Sequence, residues 1–273
     1  MTEPPSASAH PRYTKQTVTQ KTVWHSDKLF SLTVTRPVDF RFVPGQFARL
    51  GLPVGLEAAG VPNEWRAYSM VSAPSAPTLE FFSVVVPEGK FSPALAELRV
   101  GDPLWINQSV FGFLTLEAFA EGQDLWLLST GTGLSAYLSM LREPSTFKRF
   151  EHIVLVHGVR RSSELAYREE VLALRQQHAD RLTYLPVTTQ EPLTQDLSPS
   201  VNAADLTPAR ITSLLASGDL EKRAGRPLSP VLSRVMLCGN PEMVTEMRAL
   251  LTTRGFAAGR RGIAGNLAVE NYW

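Results

Sequence analysis

Arg66-Ala67-Tyr68-Ser69-Met70-Val71-Ser72 is the densest set of chemistry-bearing side chains in the first half of the sequence. On a β-strand alternate side chains point to opposite faces, so Arg66 and Tyr68 share one face and Ser69 takes the other. A guanidinium grips phosphate, and a phenol ring stacks on a flat ligand. The same residues also suit a plain exposed sheet face, so the motif alone leaves both readings open. Downstream, Pro87-Glu88-Gly89-Lys90-Phe91-Ser92-Pro93 predicts a helix over Ser92–Leu98, with Ser92 as N-cap and Pro93 first in the helix. An anion rests well at such a start. Two phosphate-gripping elements in one half point toward a pyrophosphate.

The second half offers Gly131-Thr132-Gly133-Leu134-Ser135-Ala136 between a predicted strand and a predicted helix. Backbone N–H groups in such a turn can receive a phosphate, although glycines also build ordinary strand-to-helix turns. A domain that binds NAD should place Asp or Glu at the end of the second strand. Here that strand runs into Gly158-Val159-Arg160-Arg161, and arginines there suit a 2′-phosphate instead. Cys238-Gly239-Asn240-Pro241 ends another apolar strand at the same edge of the sheet. A lone buried thiol such as Cys238 is more often core filling than chemistry. Val269-Glu270-Asn271-Tyr272-Trp273 closes the sequence on two aromatics, which would either cover an apolar groove or cap a flat ligand.

The elements that must position these residues follow two rhythms. Short β-rich runs at Thr17–Trp24, Phe30–Thr35, Gln46–Gly51, Arg66–Ser72, Leu79–Val86 and Leu104–Asn107 predict an antiparallel barrel or sandwich. After a joint near residues 117–123, strands and helices alternate: Leu125–Ser129, helix Ser135–Arg142, Ile153–His157, helix Ser163–Gln177, Leu182–Pro186, a helical run Thr207–Ser217, Val235–Cys238 and helix Pro241–Thr253. That alternation predicts a parallel sheet covered on both faces. The expected fold is therefore an all-β domain over 15–118 and an α/β domain over 119–273, after a frayed leader at 1–14.

The 273 residues suffice for two ordinary domains. Lys plus Arg number 27 against 26 Asp plus Glu, so bulk charge gives no sign of nucleic acid or a membrane surface. No apolar run reaches membrane-spanning length, the N-terminus lacks a signal-peptide core, and the cytoplasm is the default. One cysteine cannot ligate an iron–sulfur cluster. Electrons passing through this chain need an organic carrier.

Taken in order, the motifs resemble the bacterial ferredoxin (flavodoxin)–NADP⁺ reductase family from about Val18 onward. The aromatic ending resembles its enterobacterial branch. The resemblance implies that the all-β half is an antiparallel Greek-key barrel holding non-covalent FAD and that the parallel-sheet α/β half takes NADPH, with no metal. Arg66 would hold the pyrophosphate beside Ala67, Tyr68 would stack on the isoalloxazine, and Ser69 would bond near flavin N5. Phe82, Ser83, Val84 and Val85 would line the flavin, with Lys90, Phe91 and Ser92 at its pyrophosphate. Thr132 would lie near the flavin and nicotinamide, and Asn240, Pro241, Glu242, Met243 and Val244 would flank the NADPH. Arg160 and Arg210 would take its 2′-phosphate, with Val159 and Thr189 beside them. Gln190 stands where the family tends to carry a third arginine, which implies a weaker preference for NADPH.

By the same resemblance Tyr68, Ser69, Cys238 and Glu270 are the candidates nearest the reacting atoms, and Tyr272 and Trp273 would cover the FAD. The implied activity passes hydride from NADPH to flavin and then single electrons to flavodoxin or ferredoxin, by a monomer. Arg254, Arg260 and Arg261 would form a basic docking surface. A diaphorase or free-flavin reductase with a small-molecule acceptor is the alternative on this scaffold, and a non-catalytic flavin-binding subunit a third.

Overall fold

A computed structural model describes residues 12–26, 28–55, 60–196, 206–260 and 263–271. The first half contributes six strands: β1 (Tyr13–His25), β2 (Leu29–Thr35), β3 (Phe47–Leu52), β4 (Glu64–Ser69), β5 (Thr78–Val84) and β6 (Pro103–Phe111). They pair antiparallel in the order β4-β3-β6-β1-β2-β5. An antiparallel bridge between Met70 and Phe81 joins the two edges, so the sheet curls toward a barrel. Inside it pack Val18, Leu32, Leu50, Leu79, Phe81 and Leu104, supplied by alternate positions of successive strands. Helix α1 (Phe91–Glu97) adds Phe91 and Leu95 to the same core.

The second half forms a five-stranded parallel sheet in the order β11-β10-β7-β8-β9. Its strands are β7 (Asp124–Thr130), β8 (His152–Val159), β9 (Leu182–Thr188), β10 (Ser233–Gly239) and β11 (Leu267–Asn271). Every residue of β8 and β10 is buried, as expected of strands covered on both faces. Along β7, Leu125 and Leu127 face one core while Trp126 and Leu128 face the other. The first core holds α2 (Leu134–Leu141), α3 (Pro144–Arg149) and α4 (Arg168–Gln177). It also takes Leu29, Val71 and Phe82 from the barrel half, so the two sheets share one apolar seam. The second core holds α5 (Ile211–Ser217), α6 (Asp219–Ala224) and α7 (Pro241–Thr253).

Three expectations change. The helix predicted over Ser163–Gln177 is a short 3₁₀ turn, Ser162–Glu164, followed by α4 from Arg168. Tyr167 breaks it with φ +58°, a left-handed conformation costly for a bulky residue. Its ring packs on Trp24 and edges Phe82, and its hydroxyl donates to Glu80, all from the barrel half. Second, Ser92 is not an N-cap. Helix α1 begins at Phe91, and Ser92 Oγ instead accepts the Val86 N–H at 2.9 Å, closing the preceding loop. Third, β1 starts at Tyr13, inside the expected leader, because Tyr13 and Thr14 already pair with Asn107 and Ile106.

Candidate functional site

Strand order in the parallel sheet reverses between β7 and β10, the place where open α/β sheets bind ligands at the carboxyl ends of their strands. Two loops meet there. Thr130–Gly133 follows β7 and tightens into a 3₁₀ turn before α2. Cys238-Gly239-Asn240 leads from β10 into α7, where Asn240 Oδ1 caps the helix by accepting N–H groups of Glu242 and Met243 at 2.9 and 3.2 Å. The loops press backbone to backbone. A Cβ on Gly133 would lie 2.4 Å from the Cys238 carbonyl oxygen, and one on Gly239 (φ +136°) would lie 2.3 Å from Thr130 Oγ1. Thr130 Oγ1 accepts the Asn240 N–H at 2.8 Å and ties the pair together.

A cavity of about 460 Å³ opens over these loops. It takes in Thr132, Val159, Arg160, Thr189, Arg210, Asn240, Glu242 and Met243 from the sequence candidates. Arg160 sits at the end of β8 with more than half its side chain exposed, 3.6 Å from Glu164. Arg210 precedes α5 in extended backbone. Lys28, from the turn between β1 and β2, and Glu164 also line this cavity, and neither belongs to a recognisable motif. Their contact is made across the seam between the halves, at 2.7 Å, and no local motif announces it. Burial pushes the Glu164 carboxyl up, but the Lys28 and Arg160 bonds outweigh that and hold it below the ordinary range.

The second cavity, about 480 Å³, lies against the barrel. Arg66, Ala67, Tyr68 and Ser69 line it from β4, Phe82, Ser83 and Val84 from β5, and Lys90, Phe91 and Ser92 from the start of α1. Tyr68 shares a 3.2 Å hydrogen bond with Ser83 across the strands, and burial raises its phenol pKa. Arg66 is exposed and 3.2 Å from Glu64. The far wall comes from the other half: Thr132, Ser135, Glu270 and Asn271. Glu270 reaches the cavity because β11 pairs parallel with β10, setting Glu270 opposite Cys238. Its Oε2 is buried with no hydrogen-bond partner among the described residues, and burial lifts the carboxyl to about 7.

Phe82, Val84 and Thr132 line both cavities, so a ligand in one meets a ligand in the other at those three residues. Five candidates stand elsewhere. Val85 packs against the barrel core, and Val244 is buried in the second core of the α/β half. Pro241 starts α7 without facing either cavity. Cys238 is fully buried within the shared apolar seam, under the loops and not on the cavity surface. Gln190 Oε1 accepts from Arg161 Nε at 3.2 Å, outside the cavity lining. Tyr272, Trp273 and Arg261 lie outside the described residues. Arg254, expected on a basic docking surface, is bound to Glu221.

Residues 127–249 match the oxidoreductase NAD-binding domain. The chain is 40% identical to ferredoxin–NADP reductase A of Sorangium cellulosum, covering 95% of this chain and 90% of that one. It is 38% identical to the flavodoxin/ferredoxin–NADP reductase of Escherichia coli K12, covering 94% and 97%. The chain belongs to the ferredoxin/flavodoxin–NADP reductase family. A ferredoxin NADP⁺ reductase from Neisseria gonorrhoeae, solved with bound FAD and NADP, superposes with a TM-score of 0.86 at 33% identity over 97% of this reductase and 100% of that chain. The antiparallel sheet followed by a parallel one is thus the architecture of the family. Among the described residues, no helix of the reductase is long and apolar enough to cross a membrane.

Proposed function

We propose that this chain is an FAD-dependent reductase that takes hydride from NADPH and delivers electrons to ferredoxin or flavodoxin, with the flavin in the barrel-side cavity and NADPH in the other. The junction at Phe82, Val84 and Thr132 carries this reading, because hydride transfer needs the two rings in contact. FAD supplies, when bound, the conversion of a hydride into single electrons. The residues present fit such a group: a cation, an aromatic ring and apolar strand residues on one wall, and an unpartnered buried carboxyl oxygen on the other.

In this reading Arg66 and Lys90 hold the pyrophosphate, Tyr68 covers one ring face, and Ser69 orients the reacting edge. Thr132 separates the two rings at the right distance. Glu270, whose carboxyl burial lifts to about 7, can hold or release a proton beside the ring near neutral pH. Arg160 and Arg210 hold the 2′-phosphate, while the Asn240 turn fixes the approach of the nicotinamide half. We take residues 15–118 as the flavin domain and 119–273 as the coenzyme domain, in keeping with one sheet ending at Phe111 and the next starting at Asp124. We take a monomer as the working unit.

Anaerobic addition of NADPH to the purified, flavin-loaded protein tests the reading. Flavin absorbance should bleach within seconds, and reduced protein should reoxidise far faster with flavodoxin or ferredoxin than with free FMN. No bleaching would overturn the assignment, and preference for free FMN would make the chain a flavin reductase.

A further inference from the structure

The coenzyme cavity has three cations in its wall, Lys28, Arg160 and Arg210, and two of them meet on one carboxylate. Glu164 Oε1 accepts from Lys28 Nζ at 2.7 Å, and its Oε2 accepts the backbone N–H of Arg160 at 2.9 Å. Arg160 Nε lies 3.6 Å from the same Oε1. Lys28 therefore stands one carboxylate away from Arg160 and is carried by the barrel half. Gln190, at the end of β9, does not face the cavity and is engaged with Arg161.

We propose that Lys28 is a third cation for the 2′-phosphate of the coenzyme, contributed across the seam by the flavin half and kept in place by Glu164 until the phosphate displaces it. The inference rests on the NADPH reading above and names a specificity determinant within it. A phosphomonoester carries about −1.5 to −2 at neutral pH and three acceptor oxygens, against a single charge on Glu164. It therefore outcompetes the carboxylate for any cation that can turn toward it. Lys28 can turn: its ammonium is a point donor on a flexible four-carbon stem, about a third exposed. Glu164 has the opposite effect on the bound state. It is only 11% exposed, so its charge acts on an arriving phosphate through poorly screened surroundings. The two partners of one ion pair should thus change coenzyme binding in opposite directions, which a purely structural clasp between the halves would not do.

The test is calorimetric titration of the flavin-loaded protein with NADP⁺ and with NAD⁺, in the native chain, Lys28→Met, Lys28→Arg and Glu164→Gln. Lys28→Met should weaken NADP⁺ by about ten-fold, the scale of one charge-assisted hydrogen bond, and change NAD⁺ by less than about two-fold. Lys28→Arg should restore most of the loss, and Glu164→Gln should tighten NADP⁺ by roughly three-fold or more. Unchanged NADP⁺ affinity in Lys28→Met overturns the proposal. So does an equal loss for NAD⁺, which would place Lys28 on a part common to both coenzymes. A loss of NADP⁺ affinity in both Lys28→Met and Glu164→Gln would reduce the pair to a clasp. Bleaching of the flavin by NADPH, followed on the same samples, reports on the parent reading separately.

Discussion

The hydroxyl of Tyr167 donates to Glu80 Oε1 at 2.7 Å, joining the α/β half to β5 of the barrel. Glu80 Oε2 simultaneously takes Arg142 Nη1 at 2.7 Å, and Arg142 also binds Glu170 and the Val71 carbonyl. Burial alone would depress the Arg142 guanidinium, yet its two carboxylate partners hold it firmly charged. This cluster lies behind Phe82, whose ring the Tyr167 edge supports and whose other side faces both cavities. Fixing the halves to each other and fixing the junction wall are one task here.

Tyr167→Phe should therefore cost about 1–2 kcal/mol, because it leaves a half-buried Glu80 oxygen without a donor while keeping the ring contacts. Arg142→Met should cost more, about 3 kcal/mol, since two carboxylates lose their common cation. Urea unfolding of the flavin-free chain measures both. Arg142→Met no less stable than Tyr167→Phe would show that the guanidinium contributes nothing beyond charge balance.

Two buried groups give opposite slopes of stability with pH. Glu270 titrates at about 7 when folded, against an ordinary value of 4.5. Between those values the folded chain holds a proton that the unfolded chain has released, so stability falls as pH rises through that window. His157, fully buried with Nε2 on the Gly131 carbonyl, is lowered by burial from 6.5 to about 4. There the unfolded chain binds the extra proton, and stability falls as pH drops from 6.5 toward 4. Glu270→Gln should flatten the first slope and His157→Gln the second. A native-like slope in Glu270→Gln between about pH 5 and 7 would mean that its carboxyl finds a partner in solution.

Tyr68→Ala should loosen FAD by roughly 1 kcal/mol or more through lost stacking, and it also strands the Ser83 hydroxyl that Tyr68 now meets. Flavin release on dilution, followed by fluorescence, gives the number. Equal release rates in the two proteins would take Tyr68 out of the flavin wall.

Arg160→Ala should cut the NADPH over NADH ratio of kcat/KM by at least about ten-fold, the scale of one lost charge-assisted contact to phosphate. Gln190→Arg should raise that ratio, because an arginine there cannot accept from Arg161, is repelled by it, and so is free to turn toward the phosphate. A ratio unmoved by Gln190→Arg would show that the end of β9 takes no part in selecting the coenzyme.

What could be read in advance followed from how local its cause was. Helix α7 begins and ends where Asn240, Pro241 and the apolar spacing say it should, because cap, first turn and face all lie within one segment. The parallel sheet was equally legible from its doubly buried strands. Tyr167 was not, since its left-handed backbone is held by Trp24, Phe82 and Glu80, all more than eighty residues away in the chain. Short helices α3 and α6 carry too few turns to show a period. In the cavities, the residues of β4 and β5 could be named from their motifs, whereas Lys28 and Glu164 could not. A lysine in a turn and a glutamate in a loop look like ordinary surface until the fold brings them to 2.7 Å.

The pairing of β11 with β10 has a consequence for how the molecule comes into being. The barrel-side cavity takes most of its walls from residues 47–92, but Glu270 and Asn271 complete it from the edge of the other sheet. A nascent chain can fold its barrel early and still have no closed flavin cavity until β11 has been made and docked. On the reading proposed above, flavin capture is then completed late in the life of the polypeptide, and a chain cut short before residue 267 would keep Thr132 and Ser135 on the far wall but lose the Glu270 carboxyl that closes it.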